Sequence, residues 1–261
     1  DYERLAAASL AGHMIECGAQ ATGGFYTHSA ELNLANVGYP IAEITRQGHV
    51  HITKPPGTGG AVNRETCCEQ LVYEIGDPAR YRTPDVDLDL RHVRVEEQAA
   101  DRVQLSGVRG LAPSEFYKAS LAYRHGYMAS VQMIVYGHDC LAKADACAHA
   151  IRHRLAAAGH TFSDFHVEKL GAGEGVPGLA SPPADLREVV LRVTAQHHDR
   201  AAAEALAAAL VPLATNGPAG LAGYAALRPV VRPVYAYWPT LVPKALVPAQ
   251  VVVKTAQDWA A

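Results

Sequence analysis

The chain has 261 residues, 49% of them hydrophobic and 19% charged, and a formal net charge of −3. This is enough for one large or two ordinary soluble domains with a sizeable core, and the lack of a basic excess argues against nucleic-acid or anionic-membrane partners. Cys17, Cys67, Cys68, Cys140 and Cys147 form no Cys-x-x-Cys pair and no apolar run approaches membrane-spanning length, which argues against a disulfide framework, a zinc module or export and fits a reducing cytoplasm.

In chain order, the Ala/Leu-rich segment 2–14 predicts a helix running into the glycine-bearing turn region 18–24. It starts at Asp1 without an evident cap, so the chain is expected to be part of a longer protein. Alternating runs at 41–45 and 49–53 flank Arg46-Gln47-Gly48 and predict a hairpin. After the loop Lys54 to Gly60, Asn63 can cap a helix that Gly76 and Pro78 stop. Strands are expected at 87–96 and 102–108, then at 117–123 and 128–136 on either side of a His125-Gly126 turn. A helix at 141–157 and a strand at 165–170 follow. After a 171–183 linker come strand 188–194, helix 200–210 and strand 230–237. The expected class is α+β, with mixed sheets, packed helices and ferredoxin-like βαβ units in the second half. Residues 1–112 form a glycine-loop region and 113–261 the ferredoxin-like region.

Thirteen residues from Gly12 to Gly24 hold an imidazole, a carboxylate, a thiol and closing glycines. His13, Glu16 and Cys17 lie at i, i+3 and i+4, one face of a helix. A Glu–His pair at such a place can move a proton to or from a substrate α-carbon or water. The alternative is a hydrogen-bonded helix end with Cys17 as a small core residue, and Cys17 as a nucleophile requires a lowered pKa. In the second motif, Gly57, Thr58, Gly59 and Gly60 precede a helix and can aim amides at a phosphate or carboxylate beside Lys54, with Gly23 and Gly24 in the neighbouring turn. The alternative there is a purely structural turn. Glu69 shares a helix face with Tyr73 and is placed to reach the same pocket. His49 and His51, and the series Asp85, Asp87, Asp89, have spacings compatible with metal ligation but read better as ordinary strand residues. No metal or resident cofactor is expected. The two glycine-rich loops are expected to be neighbours.

Read together, Gly12-His13-x-x-Glu16-Cys17-Gly18, Thr22-Gly23-Gly24, Gly38-Tyr39-Pro40-Ile41-Ala42-Glu43, Lys54-x-x-Gly57-Thr58-Gly59-Gly60, Glu69-Gln70-Leu71-x-Tyr73-Glu74-x-x-Asp77-Pro78 and Pro84-Asp85-Val86 resemble the acyclic terpene utilisation (AtuA-like) family. The segment Leu213-Ala214-Thr215-x-Gly217-Pro218-Ala219-Gly220 and the run Trp238-Pro239-Thr240-Leu241-Val242-Pro243 extend the resemblance over essentially the whole chain. It implies bacterial catabolism of acyclic terpenes or related branched acids as carboxylates or coenzyme A thioesters. Hydratase or lyase-type proton transfer is the expected chemistry, and a non-catalytic binding or assembly subunit the alternative. Members are usually longer, so the expected partners are a missing upstream portion or partner subunit, a small-molecule substrate and, in a homo-oligomer, further copies of the chain.

Overall fold

A computed structural model describes residues 1–176, 178–223 and 229–259. The chain divides into two compact units, one comprising Asp1–Ser120 with Pro239–Ala261 and the other Leu121–Trp238. Every ladder with an assigned register is antiparallel, and with helices packed on the sheets the class is α+β.

In the first unit α1 (Tyr2–Glu16) buries Ala6, Ala7, Leu10, Ala11, His13 and Met14, a helical stripe whose alanines allow close approach to the sheets. Asp1 does cap it, its side chain accepting from the Glu3 amide at 3.2 Å, which corrects the expected lack of a cap. The hairpin forms as β1 (Ile41–Ile44) and β2 (Val50–Thr53), with Ile41 opposite Thr53. Helix α2 (Arg64–Val72) starts at a reciprocal box in which Thr66 N donates to Asn63 Oδ1 and Asn63 N to Thr66 Oγ1.

The single strand expected over 87–96 is two. Between β3 (Tyr81–Arg82) and β7 (Arg109–Leu111) lies β4 (Asp87–Asp89), all three of whose residues are buried. A turn in which Leu90 N bonds to Pro78 O then releases the chain into β5 (Arg94–Ala99), which pairs β6 (Arg102–Ser106) in the other sheet, of order β1-β2-β6-β5. Covered on both faces, β4 loses the period-2 signal. Its carboxylates are held by arginines, Asp87 by Arg80 at 2.7 Å and Asp89 by Arg91 at 2.8 Å. Val50, Ile52, Val103 and Leu105 alternate inward from β2 and β6 into one core with Leu10 and Met14.

The second unit contains most of β8 (Phe116–Tyr136), then α3 (Cys140–Ala157), β9 (Asp164–Leu170), β10 (Glu188–His197), α4 (Arg200–Ala209), β11 (Leu221–Gly223) and part of β12 (Arg232–Pro243). Its sheet order, β11-β8-β10-β9, with α3 and α4 in the crossovers, is the ferredoxin-like arrangement. Pro177 of the 171–183 linker lies outside the described residues. No turn interrupts β8 at His125-Gly126. Gly126 instead has φ +108°, and a methyl there would overlap the His197 carbonyl oxygen, so this glycine admits the end of β10 rather than reversing the chain. Val131, Val135, Leu191 and Val193 point to one side of the sheet and pack with Ile151 and Leu206 of the helices.

Candidate functional site

His13 lies one helical turn beyond Leu10 on the core face of α1, so packing of that face draws its ring inside, to 4% exposure. Its Nε2 lies 3.1 Å from the carbonyl oxygen of Leu71 in α2, and its Nδ1 lies 2.7 Å from Glu16 Oε1. A carbonyl oxygen only accepts, so Nε2 carries a hydrogen, and the hydrogen between Nδ1 and the carboxyl belongs to the pair. Gln70 Nε2 donates to the His13 carbonyl at 2.7 Å and ties α2 to the same turn. Glu16 is half-exposed. The arrangement is a solvent-facing carboxyl held from behind by a buried, fixed imidazole.

Beside it stands Tyr81, whose ring centroid is 5.7 Å from that of His13 and whose ring carries the Lys118 ammonium 5.1 Å from its centroid. Burial, and then the carboxylates of Glu16 and Glu74, push the Tyr81 hydroxyl up from its ordinary pKa. The Tyr73 hydroxyl is also pushed up, mainly by Glu74, with smaller contributions from burial and Cys17. Glu74 has φ +59°, a left-handed conformation uncommon for a residue with a side chain. Cys17 caps α1 and is partly exposed.

The two glycine-rich loops are neighbours. Ala61 N donates to Thr22 O at 3.0 Å, Gly59 N to Asn36 O at 2.6 Å and Gly60 N to Asn33 O at 3.2 Å. Val62 N donates to Asp101 Oδ1, and Lys54 Nζ to Thr58 O at 2.8 Å while pairing Asp101 at 3.0 Å. The amides of residues 59 to 62 are thus used inside the protein, and Lys54 is buried as the loop's own clamp. A methyl on Gly59 would overlap the Asn33 carbonyl oxygen. Thr58 Oγ1 bonds to Pro55 O, whereas Gly57 is exposed, and Gly23 and Gly24 close the turn after α1 through bonds to Gln20 O and Ala19 O. Loop geometry here reads as a knot, with backbone packed against backbone too closely for side chains.

Glu69 faces another way from the His13–Glu16 pair. Its Oε1 accepts from Thr27 N at 3.4 Å and Thr27 Oγ1 at 3.2 Å, while its buried Oε2 has no partner among the described residues. Next to it Tyr26 donates to Glu65, which raises the tyrosine's pKa. His51 meets Gln104 at 3.1 Å and His49 is exposed. No group of three or more metal-binding side chains occurs among the described residues.

The second unit carries a cavity of about 1200 Å³. Its lining includes Ser130, Gln132, His166, Glu168, Arg192 and Thr194, which alternate with the core valines along β8, β9 and β10 and so share the sheet face away from the helices. Arg192 donates to both oxygens of Glu168, directly opposite in register, and Ser130 and Thr194 share a hydroxyl hydrogen bond of 2.8 Å. Asp145 and Glu174 both pair Lys169 at its rim.

Residues 1–253 match the acyclic terpene utilisation family protein AtuA. The chain belongs to that family. Membership ties this AtuA-family chain to acyclic terpene utilisation. No curated protein and no solved structure matches it.

Sequence reasoning placed His13, Glu16 and Cys17 of this AtuA-family chain together but missed Tyr81, Lys118 and the polar sheet face. The period-2 alternation of Ser130, Gln132, Arg192 and Thr194 with valines was the available signal for that face. Tyr81 and Lys118 had none, because only the fold brings Tyr81 to His13 and Lys118 to Tyr81.

Proposed function

We propose that this protein is a component of a catabolic enzyme for acyclic terpenes or branched acids, acting on a carboxylate or coenzyme A thioester by proton transfer at Glu16. The observation that carries this reading is the His13–Glu16 pair itself. One carboxyl oxygen is bonded to Nδ1, and the second is left for a substrate. His13 is a positioning residue, fixed by Leu71 O. In a dehydration, Glu16 takes the α-proton of a β-hydroxyacyl group and returns it to the departing hydroxyl, which leaves as water; hydration is the reverse. Tyr81 supplies a hydroxyl near the carboxyl, with the Lys118 ammonium over its ring. Cys17 and Glu69 stay in the proposal as flanking groups, the first at the end of the same helix and the second as an orphaned carboxylate oxygen across α2.

The rival reading, a binding or assembly subunit, is favoured by the knot, since Lys54 and the amides of residues 59 to 62 are already bonded within the protein. Replacement of Glu16 by Gln separates the two. Branched enoyl and hydroxyacyl thioesters are presented to the protein with any partner subunit supplied. The enzyme reading expects turnover to fall about 10²–10⁴-fold with folding unchanged. Near-normal activity of the variant assembly supports the subunit reading.

A further inference from the structure

On the sheet face of the second unit that lies away from the helices, strand register sets polar side chains in a grid. Arg192 of β10 lies between Gln132 of β8 and Glu168 of β9, and Thr194 lies between Ser130 and His166 on the same strands. Strand spacing and the two-residue repeat make this grid about 10 Å by about 7 Å. The loop after β9 walls it. Ala172 N donates to Lys169 O at 3.1 Å, and Glu174 turns back to accept from Lys169 N at 2.7 Å, which ties the base of the loop to β9. Gly173, at φ +83°, brings its backbone so near Ala180 that a β-carbon would lie 2.7 Å from the Ala180 carbonyl oxygen. The two limbs of the loop therefore close on each other. Grid and loop line one cavity of about 1200 Å³, and a recess of this kind suits a small molecule better than the flat surface of a protein.

We propose that this cavity, built by the second unit alone, binds an uncharged polyhydroxylated molecule, a sugar or a sugar alcohol. The chemistry of the grid selects that class. Arg192 and Glu168 neutralise each other, and the hydrogen bonds from Arg192 hold the Glu168 carboxyl below its ordinary pKa, so the pair persists at neutral pH. Lys169 is likewise held by Asp145 and Glu174. Three carboxylates against two cations leave no free positive charge among the described residues of the lining. A phosphate, a carboxylate or the anionic end of coenzyme A finds no counter-ion there. The hydrogen-bonding capacity that remains is two-sided. The guanidinium engages Glu168 through Nε and Nη2, leaving Nη1 for a ligand, and the carboxylate oxygens keep lone pairs beside it. Gln132, the bonded Ser130–Thr194 hydroxyl pair and the His166 imidazole each offer both a donor and an acceptor. A hydroxyl is the ligand group that donates and accepts at one atom, and two adjacent hydroxyls can engage guanidinium and carboxylate together. An apolar terpene chain laid over the grid would instead bury these groups without partners.

Isothermal titration of the full chain with glucose, sucrose and sorbitol tests this, with inorganic phosphate and coenzyme A as competitors. At least one of the uncharged polyols is expected to saturate the protein in the millimolar range or below, and neither competitor to displace it. Thr194→Val and Gln132→Leu, which take a hydroxyl and a carboxamide out of the grid, should each weaken that binding at least about tenfold with an unchanged circular dichroism spectrum. Hydrogen exchange gives an independent reading, since the bound polyol should slow exchange in β9 and over residues 172–175. Saturation by none of the polyols, displacement of the bound polyol by phosphate or coenzyme A, or an affinity indifferent to both substitutions would each overturn the proposal. Binding is read here without turnover, so its failure is distinguishable from a failure of the reading at Glu16.

Discussion

Replacement of Gly60 by Ala tests whether the Lys54–Gly60 loop is a structural knot or an anion cradle. Gly60 holds φ +78°, and a β-carbon there would overlap the Thr22 carbonyl oxygen, which accepts Ala61 N at 3.0 Å, and would touch Val37 Cγ1 at 3.0 Å. A left-handed backbone costs an L-residue about 1–2 kcal/mol. Forcing neighbouring backbone apart costs about 1–3 kcal/mol more, and the loss of the Ala61 bond about 0.5–1.5 kcal/mol. The expected loss is therefore about 3–6 kcal/mol, a large share of a domain's stability. Gly57 is the internal control, with φ +74° but nothing within 4 Å of the place a methyl would take. Its Ala variant carries only the backbone cost of about 1–2 kcal/mol, part of which is regained because Ala restricts the unfolded chain. Urea unfolding by circular dichroism, with hydrogen exchange over residues 20–65 to report on the first unit, measures both. Equal losses at the two glycines would refute the packing argument. So would a wild-type stabilisation by phosphate or coenzyme A that the Gly57 variant abolishes, because it would show that the loop binds anions after all.

Burial pushes the Cys67 thiol up to about 12, so iodoacetamide at pH 8 should label Cys17 and Cys68 in the native protein and leave Cys67 unmodified by mass spectrometry until denaturant is added. Rapid native labelling of Cys67 would contradict the packing of α2. The Arg91 guanidinium holds the Asp89 carboxyl well below the usual carboxylate range. The folded state therefore binds that proton less readily than the unfolded one. The pair's stabilisation is complete above the ordinary aspartate pKa of about 3.9 and is lost as pH falls from there toward the folded value. Asp89→Asn should be less stable than wild type at pH 7, with the gap closing in acid, and a gap constant down to pH 2 would exclude this linkage. Lys54→Met removes the donor to Thr58 O and the partner of Asp101, and should lower stability by about 1–3 kcal/mol in the same urea assay. No change would mean that the clamp contributes nothing.

Much of this fold was legible in the sequence because its signals are local. The alanine stripe of α1, the Arg46-Gln47-Gly48 hairpin, the Asn63 cap and the order α3, β9, β10, α4 each depend on residues a few positions apart, and the family motifs follow the same linear order. The i, i+3 spacing also announced the pairing of His13 with Glu16. What the sequence could not reveal depends on residues far apart in the chain. The 87–96 run reads as one strand until Pro78 O captures the Leu90 amide. His125-Gly126 reads as a turn until the end of β10 arrives at Gly126. The glycines at 57–60 read as an anion loop until Thr22, Asn33 and Asn36 take up the amides from 59 to 61, and Lys54 reads as a free cation until Asp101 closes on it. In the last two cases glycine or lysine chemistry permits two outcomes, a ligand or the protein's own carbonyls and carboxylates. Only the tertiary structure decides, because only it fixes which carbonyl or carboxylate lies within hydrogen-bonding distance.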